Sequence, residues 1–217
     1  MLITAHSGAQ KTKPNSREYL QALQSERIVA DVFEVDVRRR KGLLYLSHMP
    51  AIFPAKKATL EEALELVRSS NLKINLDIKE HGIFSDVQDL VLSMGLDKEI
   101  IYTGNVSPRD AATMRAGYLY ANVNPFCKGL RPVPEDAAAL KTTLQKHGPR
   151  VIGLNINYKW TEPRFYPAAA NVGLMLSVYT VDDPIALEKL SNYSFANLTT
   201  HWPADARKYF KESGYYG

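Results

Sequence analysis

Short apolar runs alternate with helical patterns from one end of this chain to the other, and nothing else in it limits the fold so strongly. Strand-like runs fall at 2–6, 32–37, 72–79, 99–103, 117–123, 151–157, 173–180 and 195–199. Helix starts stand between several of them. Thr59-Leu60-Glu61-Glu62 is a capping box ahead of an apolar stripe. Ser107-Pro108-Arg109-Asp110, Thr161-Glu162-Pro163 and Asp182-Asp183-Pro184 each combine a cap, a first-turn proline or an acid that complements the helix dipole. Strands separated by helices imply βαβ units and a parallel sheet. No Gly-x-Gly-x-x-Gly follows the first strand, so a dinucleotide site is not expected. With 217 residues the chain suits one domain, 1–217. An α/β barrel needs about 200 residues at least, so its loops must be short. The expected fold is a TIM-type (β/α)8 barrel.

The second strand carries an addition. Arg38-Arg39-Arg40-Lys41-Gly42 precedes a further apolar run and His48, which reads as a hairpin turning near Lys41-Gly42. Folding back brings His48 within a residue or two of Asp36. The arginine run reads as a solvated hairpin tip.

Residues i and i+2 of a strand share a face. Phe33, Val35 and Val37 oppose Glu34 and Asp36; Ile74, Leu76 and Ile78 oppose Asn75, Asp77 and Lys79. Likewise Leu119, Ala121 and Val123 oppose Tyr120, Asn122 and Asn124, and Ile152, Leu154 and Ile156 oppose Asn155 and Asn157. Ser177 and Tyr179 oppose Leu176 and Val178. A barrel strand turns its apolar face to the helices, so the polar set points inward toward the strand C-termini, where barrel enzymes carry their sites. The competing reading, a half-exposed antiparallel sheet, conflicts with the intervening helical patterns.

Glu34, Asp36 and Asp77 thus converge. Clustered carboxylates repel, and a hard divalent cation, Mg²⁺ or Ca²⁺, relieves them. His6 ends the first strand and His48 the hairpin return; two histidines at one mouth can serve as general acid and base. Lys79 offers positive charge to an anion. That set suits phosphoryl-transfer chemistry. His81, His147 and His201 read as structural or exposed.

These residues resemble the glycerophosphodiester phosphodiesterases over nearly the whole chain. The family's His-Arg-Gly-Ala is similar to His6-Ser7-Gly8-Ala9, its Pro-Glu-Asn-Thr to Pro14-Asn15-Ser16, and its Glu-Leu-Asp-Val to Glu34-Val35-Asp36-Val37. The hairpin return ending His-Asp resembles Ser47-His48-Met49, and Pro-Thr-Leu-Glu-Glu resembles Ala58-Thr59-Leu60-Glu61-Glu62. Asn-Ile-Glu-Ile-Lys resembles Asn75-Leu76-Asp77-Ile78-Lys79. Val-Trp-Thr-Val-Asn-Asp resembles 178–183, and the closing Ile-Thr-Asp-x-Pro resembles 198–203. The resemblance implies a barrel with an insertion after the hairpin, for which Met49 to Ala58 leaves almost no room. It implies His6 and His48 as the acid–base pair and Glu34, Asp36 and Asp77 as metal ligands. It implies Lys79 at the phosphate and Tyr179 lining the alcohol pocket; Ser7 and the inward-facing Asn155 and Asn157 are expected as further substrate contacts. The implied reaction hydrolyses a glycerophosphodiester to glycerol 3-phosphate and an alcohol, through attack by the substrate's own hydroxyl and a cyclic phosphate. Three positions depart from the pattern: Ser7 replaces arginine, Met49 replaces aspartate, and Asp77 replaces glutamate. Lys11 or Lys13 can stand in for the missing arginine. A related phosphodiesterase or lyase with another head group, and a phospho-ligand-binding barrel without turnover, stay open beside the hydrolase reading.

Net charge of +4 is compatible with an anionic substrate and too small and scattered to indicate nucleic acid. The lone Cys127 excludes a disulfide framework and a thiolate zinc cluster. No basic segment followed by an apolar run opens the chain, and no run approaches the roughly 20 residues of a membrane span. The expected setting is cytoplasmic, with a small phosphodiester as partner, no nucleic acid and no membrane span; oligomeric state is open.

Overall fold

A computed structural model describes residues 1–212. The strands are β1 (Leu2–Ala5), β2 (Val32–Arg40), β3 (Leu43–Leu46), β4 (Lys73–Ile78), β5 (Ile100–Gly104), β6 (Tyr118–Asn122), β7 (Val151–Asn157), β8 (Met175–Tyr179) and β9 (Asn197–Thr200). The helices are α1 (Arg17–Gln24), α2 (Leu60–Arg68), α3 (Phe84–Ser93), α4 (Pro108–Ala112), α5 (Val123–Phe126), α6 (Ala137–Gln145), α7 (Phe165–Asn171), α8 (Pro184–Leu190) and α9 (Pro203–Glu212). All strands but β3 run parallel, and β1 pairs with both β9 and β2, so the sheet closes. The result is an eight-stranded α/β barrel of TIM type with β3 as a hairpin appendage. No helix among the described residues is long and apolar enough to cross a membrane.

Alternation along the strands sorts the two faces. Phe33, Val35, Val37, Ile74, Leu76 and Ile78 are fully buried in the layer between sheet and helices. The inward faces stack in layers. Val32, Ile101 and Tyr120, with Leu2, Ile152 and Ala196, plug the lower end. Above them Thr4 donates to Asn197 (2.7 Å), Asn197 to Ser177 (3.0 Å) and Thr103 to Asn75 (3.1 Å), so the polar interior is hydrogen-bonded. The carboxylates lie at the upper, C-terminal end.

Several local expectations change. Leu119 pairs with Val151 and Tyr120 with Gly153, leaving Ile152 as an extra residue in β7. Such a bulge breaks strict alternation, so Ile152 joins the interior plug rather than the helix-facing layer. Asn124, expected inside, lies past the end of β6 and is exposed. Thr161 does not cap α7; its hydroxyl donates to the Asn157 carbonyl, and α7 begins after Arg164 without a side-chain cap. The capping boxes at Thr59 and Ser107 form, and Asp183 caps α8.

The hairpin turn falls at Lys41 and Gly42, with φ of 50° and 80°. Two successive positive values define the tight turn whose twist matches the strands, and glycine meets the second without a Cβ penalty. The arginine run is not simply solvated. Arg38 donates twice to the His48 carbonyl (3.0 and 2.8 Å), Arg40 donates to the Ala51 carbonyl (2.7 Å), and Arg39 pairs with Asp86. The guanidiniums satisfy carbonyls of a loop that has no ladder partner of its own.

Candidate active site

His6, Glu34, Asp36, His48, Asp77 and Lys79 meet at the upper mouth. β2 and β4 run in register, with Glu34 beside Asn75 and Asp36 beside Asp77. Inward parity then points all four side chains at one space. Ligand oxygens of Glu34, Asp36 and Asp77 lie within 4.8 Å of one another. Burial raises the Glu34 carboxyl well above its ordinary range, and the neighbouring Asp36 and Asp77 charges push it further. Asp77 is raised chiefly by burial, against the opposing pull of Lys79. The Lys79 ammonium bridges Asp36 Oδ1 (2.8 Å) and Asp77 Oδ2 (2.6 Å). Burial alone would lower its pKa, but the two carboxylates outweigh that and raise it, so it stays charged.

One cation does not satisfy three carboxylates. Asp77 Oδ1 is buried with no hydrogen-bond partner, which fits an additional positive ligand at this cluster. An all-oxygen donor set suits a hard divalent ion.

His6 follows β1. Its Nδ1 lies 3.1 Å from the Ser7 carbonyl, which can only accept, so Nδ1 carries the proton and Nε2 is the free nitrogen. Nε2 faces Glu34 Oε2 at 3.6 Å, and the same oxygen accepts the Ser7 backbone N–H at 3.1 Å. Burial, then the nearby His201, lowers the His6 pKa. His48 sits one residue past the level of Asp36, because Ser47 N–H donates to the Asp36 carbonyl. Its Nδ1 is 3.5 Å from Asp36 Oδ2 and its ring is largely exposed. A cavity of about 270 Å³ opens beside the cluster, lined among others by His6, Glu34, Asp77, Lys79, Asn122, Asn155 and Tyr179. Asn157 does not line this cavity; its side chain accepts from Lys159 N–H at 3.0 Å and caps the following turn. Ser7 enters the site through its backbone and is itself buried.

Three participants were not singled out from the sequence. Asn15 is buried; its amide donates to Asp36 Oδ2 (2.6 Å) and its carbonyl accepts Asp36 N–H (2.8 Å), orienting that carboxylate. Its φ of 54° is a conformation asparagine tolerates, and its place in Pro14-Asn15-Ser16 was the available signal. His201 and Asp182 form a second histidine–carboxylate pair. Nδ1 lies 2.8 Å from Asp182 Oδ2, Asp182 Oδ1 accepts His201 N–H at 2.7 Å, and the His201 ring meets that of His6 at a tilt, 4.3 Å between centroids. The hydrogen bond to Asp182 raises His201, and the same contacts outweigh burial to hold Asp182 down to about 2. No sequence spacing signals this pair, since its members sit in the loops after β8 and β9.

Neither a family model nor a curated protein sequence matches the chain. Solved structures do. A glycerophosphodiester phosphodiesterase from Parabacteroides distasonis superposes with a TM-score of 0.74 at 20% identity, covering 98% of each chain. One from Agrobacterium tumefaciens gives 0.70 at 14%, covering 100% of each. The chain has the glycerophosphodiester phosphodiesterase fold. An Oleispira antarctica phosphodiesterase, solved with the product sn-glycerol-3-phosphate, gives 0.73 at 14% identity over 97% of each chain.

Proposed function

We propose that the mouth of this barrel hydrolyses glycerophosphodiesters to glycerol 3-phosphate and an alcohol. The observation that carries the reading is the placing of two imidazoles, His6 and His48, on either side of one carboxylate–lysine cluster. Support comes from the shared fold and from the product bound in the Oleispira structure.

In this reading His6 is the base. Its Nδ1 proton is engaged by the Ser7 carbonyl, so Nε2 takes the proton of the attacking glycerol hydroxyl. His48, exposed at the rim, gives a proton to the departing alcohol oxygen. As the P–O bond to the glycerol hydroxyl forms, the P–O bond to the alcohol breaks. Water then opens the cyclic phosphate with the two roles exchanged. Glu34, Asp36 and Asp77 would hold Mg²⁺ or Ca²⁺, which neutralises charge on the phosphate oxygens when bound. Lys79 adds a fixed positive charge, Asn15 holds Asp36 in place, and Asn155 and Tyr179 offer polar contacts to the substrate.

The test is release of glycerol 3-phosphate from glycerophosphocholine and glycerophosphoethanolamine with Mg²⁺, Ca²⁺ or EDTA. Metal-dependent release is expected, with His6→Ala and His48→Ala each lowering kcat by about 10²–10⁴-fold. No release from folded protein under any condition would sink the reading. Ser7 favours one second reading. Ser7 is buried and brings no bidentate guanidinium to the mouth, so the phosphate is held differently there; a lyase that stops at the cyclic phosphate is the alternative, and product analysis separates the two.

A further inference from the structure

Isolated exposed apolar side chains need no explanation. Their distribution here does. The five most exposed large apolar residues among those described are Trp160 (82%), Ile52 (75%), Met49 (67%), Phe53 (66%) and Ile185 (60%). All five lie on segments that leave the site end of the barrel. Met49, Ile52 and Phe53 follow His48 at the end of the hairpin return, Trp160 follows β7, and Ile185 opens α8 after β8. In the strand order β7 is four strands from β2 around an eight-stranded ring, so Trp160 and the Met49–Phe53 group stand on opposite sides of the mouth.

Basic side chains are interleaved with them. Lys56 lies 5.4 Å from the centre of the Phe53 ring and Lys159 lies 5.8 Å from that of Tyr158, next to Trp160. Lys11 and Lys13, on the loop after β1, are exposed at the same end. Two acids beside these tips are engaged: Asp183 caps α8, and Glu162 pairs with Arg164. The segment bearing Ile52 and Phe53 is held by Arg40 at the Ala51 carbonyl and by Tyr45, whose hydroxyl accepts Ala51 N–H at 3.1 Å. Its apolar tips are therefore braced outward rather than left to collapse onto the barrel.

We propose that this rim docks the mouth of the barrel onto an anionic lipid surface, with Ile52, Phe53 and Trp160 entering the acyl boundary and the lysines meeting the head groups. Apolar tips spread around an opening, with Lys56 at Phe53 and Lys159 next to Trp160 in the chain, match a planar partner that is greasy below and negative above. A protein interface is built as an apolar core inside a polar rim, whereas here the apolar tips stand on opposite sides of the opening. Resting on the phosphodiesterase reading, the substrate would be a phosphodiester borne by that surface, delivered to the site without leaving it.

Docking can be read without turnover. The full chain is mixed with phosphatidylcholine vesicles with or without phosphatidylglycerol, and sedimentation and tryptophan emission are followed. Binding to the anionic vesicles, weakened at about 1 M salt, and a blue shift that Trp160→Phe abolishes are expected. Ile52→Ser with Phe53→Ser should lower partitioning roughly tenfold or more while release from water-soluble glycerophosphocholine is unchanged. Absence of binding to either vesicle would overturn the proposal, as would binding that the double substitution leaves intact. Concentration-dependent self-association lost in the double variant, without vesicle binding, would assign the rim to a second copy instead. His6→Ala protein that docks but does not turn over keeps this result separate from the catalytic one.

Discussion

At the scale of single residues, hydrogen bonds fix how the polar groups at the mouth are oriented. His6 is the clearest case: its Nδ1–H donates to the Ser7 carbonyl, which leaves Nε2 as the nitrogen without a proton. The Asp182–His201 pair beside it makes a prediction about pH. His201 is raised above 6.5 by Asp182, so its contribution to stability is complete below the unfolded histidine pKa and is lost as pH rises through the folded value. Asp182 is held down to about 2, so its contribution is present above the unfolded aspartate pKa and fades as pH falls toward about 2. The pair therefore stabilises most between pH about 4 and 6.5. Asp182→Asn is expected to melt below wild type at pH 5, with the gap closing above neutrality. Equal gaps at pH 5 and 8 would contradict the linkage. None of this pairing is legible in the sequence, where His201 reads as an incidental histidine. Only closure of β1 against β9 brings residues nearly two hundred positions apart into ring contact.

Among elements, the turn that ends β5 shapes the carboxylate cluster most directly. Gly104 has φ of 84°, and a Cβ there would fall 2.0 Å from Asp77 Oδ1 and 2.4 Å from the Ile78 carbonyl. The Ile78 carbonyl is backbone and cannot move off, and the Asp77 carboxylate is held by Lys79. Gly104→Ala should cost roughly 2–4 kcal/mol in urea unfolding, from left-handed strain plus overpacking. It should also weaken divalent-cation binding, which a titration calorimeter would show; unchanged affinity would mean that Asp77 Oδ1 is not a ligand. The hairpin was legible because Lys41-Gly42 is a local turn signal and the register follows from it. The β7 bulge was not, because an extra residue in one strand is decided by its partner. Thr161 likewise looked like a cap, yet the Asn157 carbonyl claimed its hydroxyl.

For the molecule as a whole, the strain gathers where three carboxylates are buried around one lysine. Folded-state pKa values of Glu34 and Asp77 are raised, so the folded form holds protons that the unfolded chain has already released. Stability from these two groups is greatest at low pH and falls as pH rises through the folded values. A divalent cation bound at this cluster would replace the lost protons. Mg²⁺ or Ca²⁺ is therefore expected to raise Tm more at pH 8 than at pH 5, and Glu34→Gln to raise Tm in EDTA at pH 8 while blunting the response to cation. Thermal melts across that grid check it. A Tm indifferent to both ions at pH 8 would remove the cation from the account.

The sequence by itself determined the barrel and the core of its site. Strand–helix alternation admits few closed arrangements. Inward parity places Glu34, Asp36, Asp77 and Lys79 on one wall once β2 and β4 are neighbours, because side-chain direction has period two and is a local property. Tertiary structure decided what depends on distance: the Ser7–Glu34 hydrogen bond, Asn15 orienting Asp36, the Asp182–His201 pair against His6, and the withdrawal of Asn157 into its own turn. Those outcomes turn on which loops meet at the mouth and on competition for each hydrogen-bonding atom, and neither is encoded within any one stretch of chain.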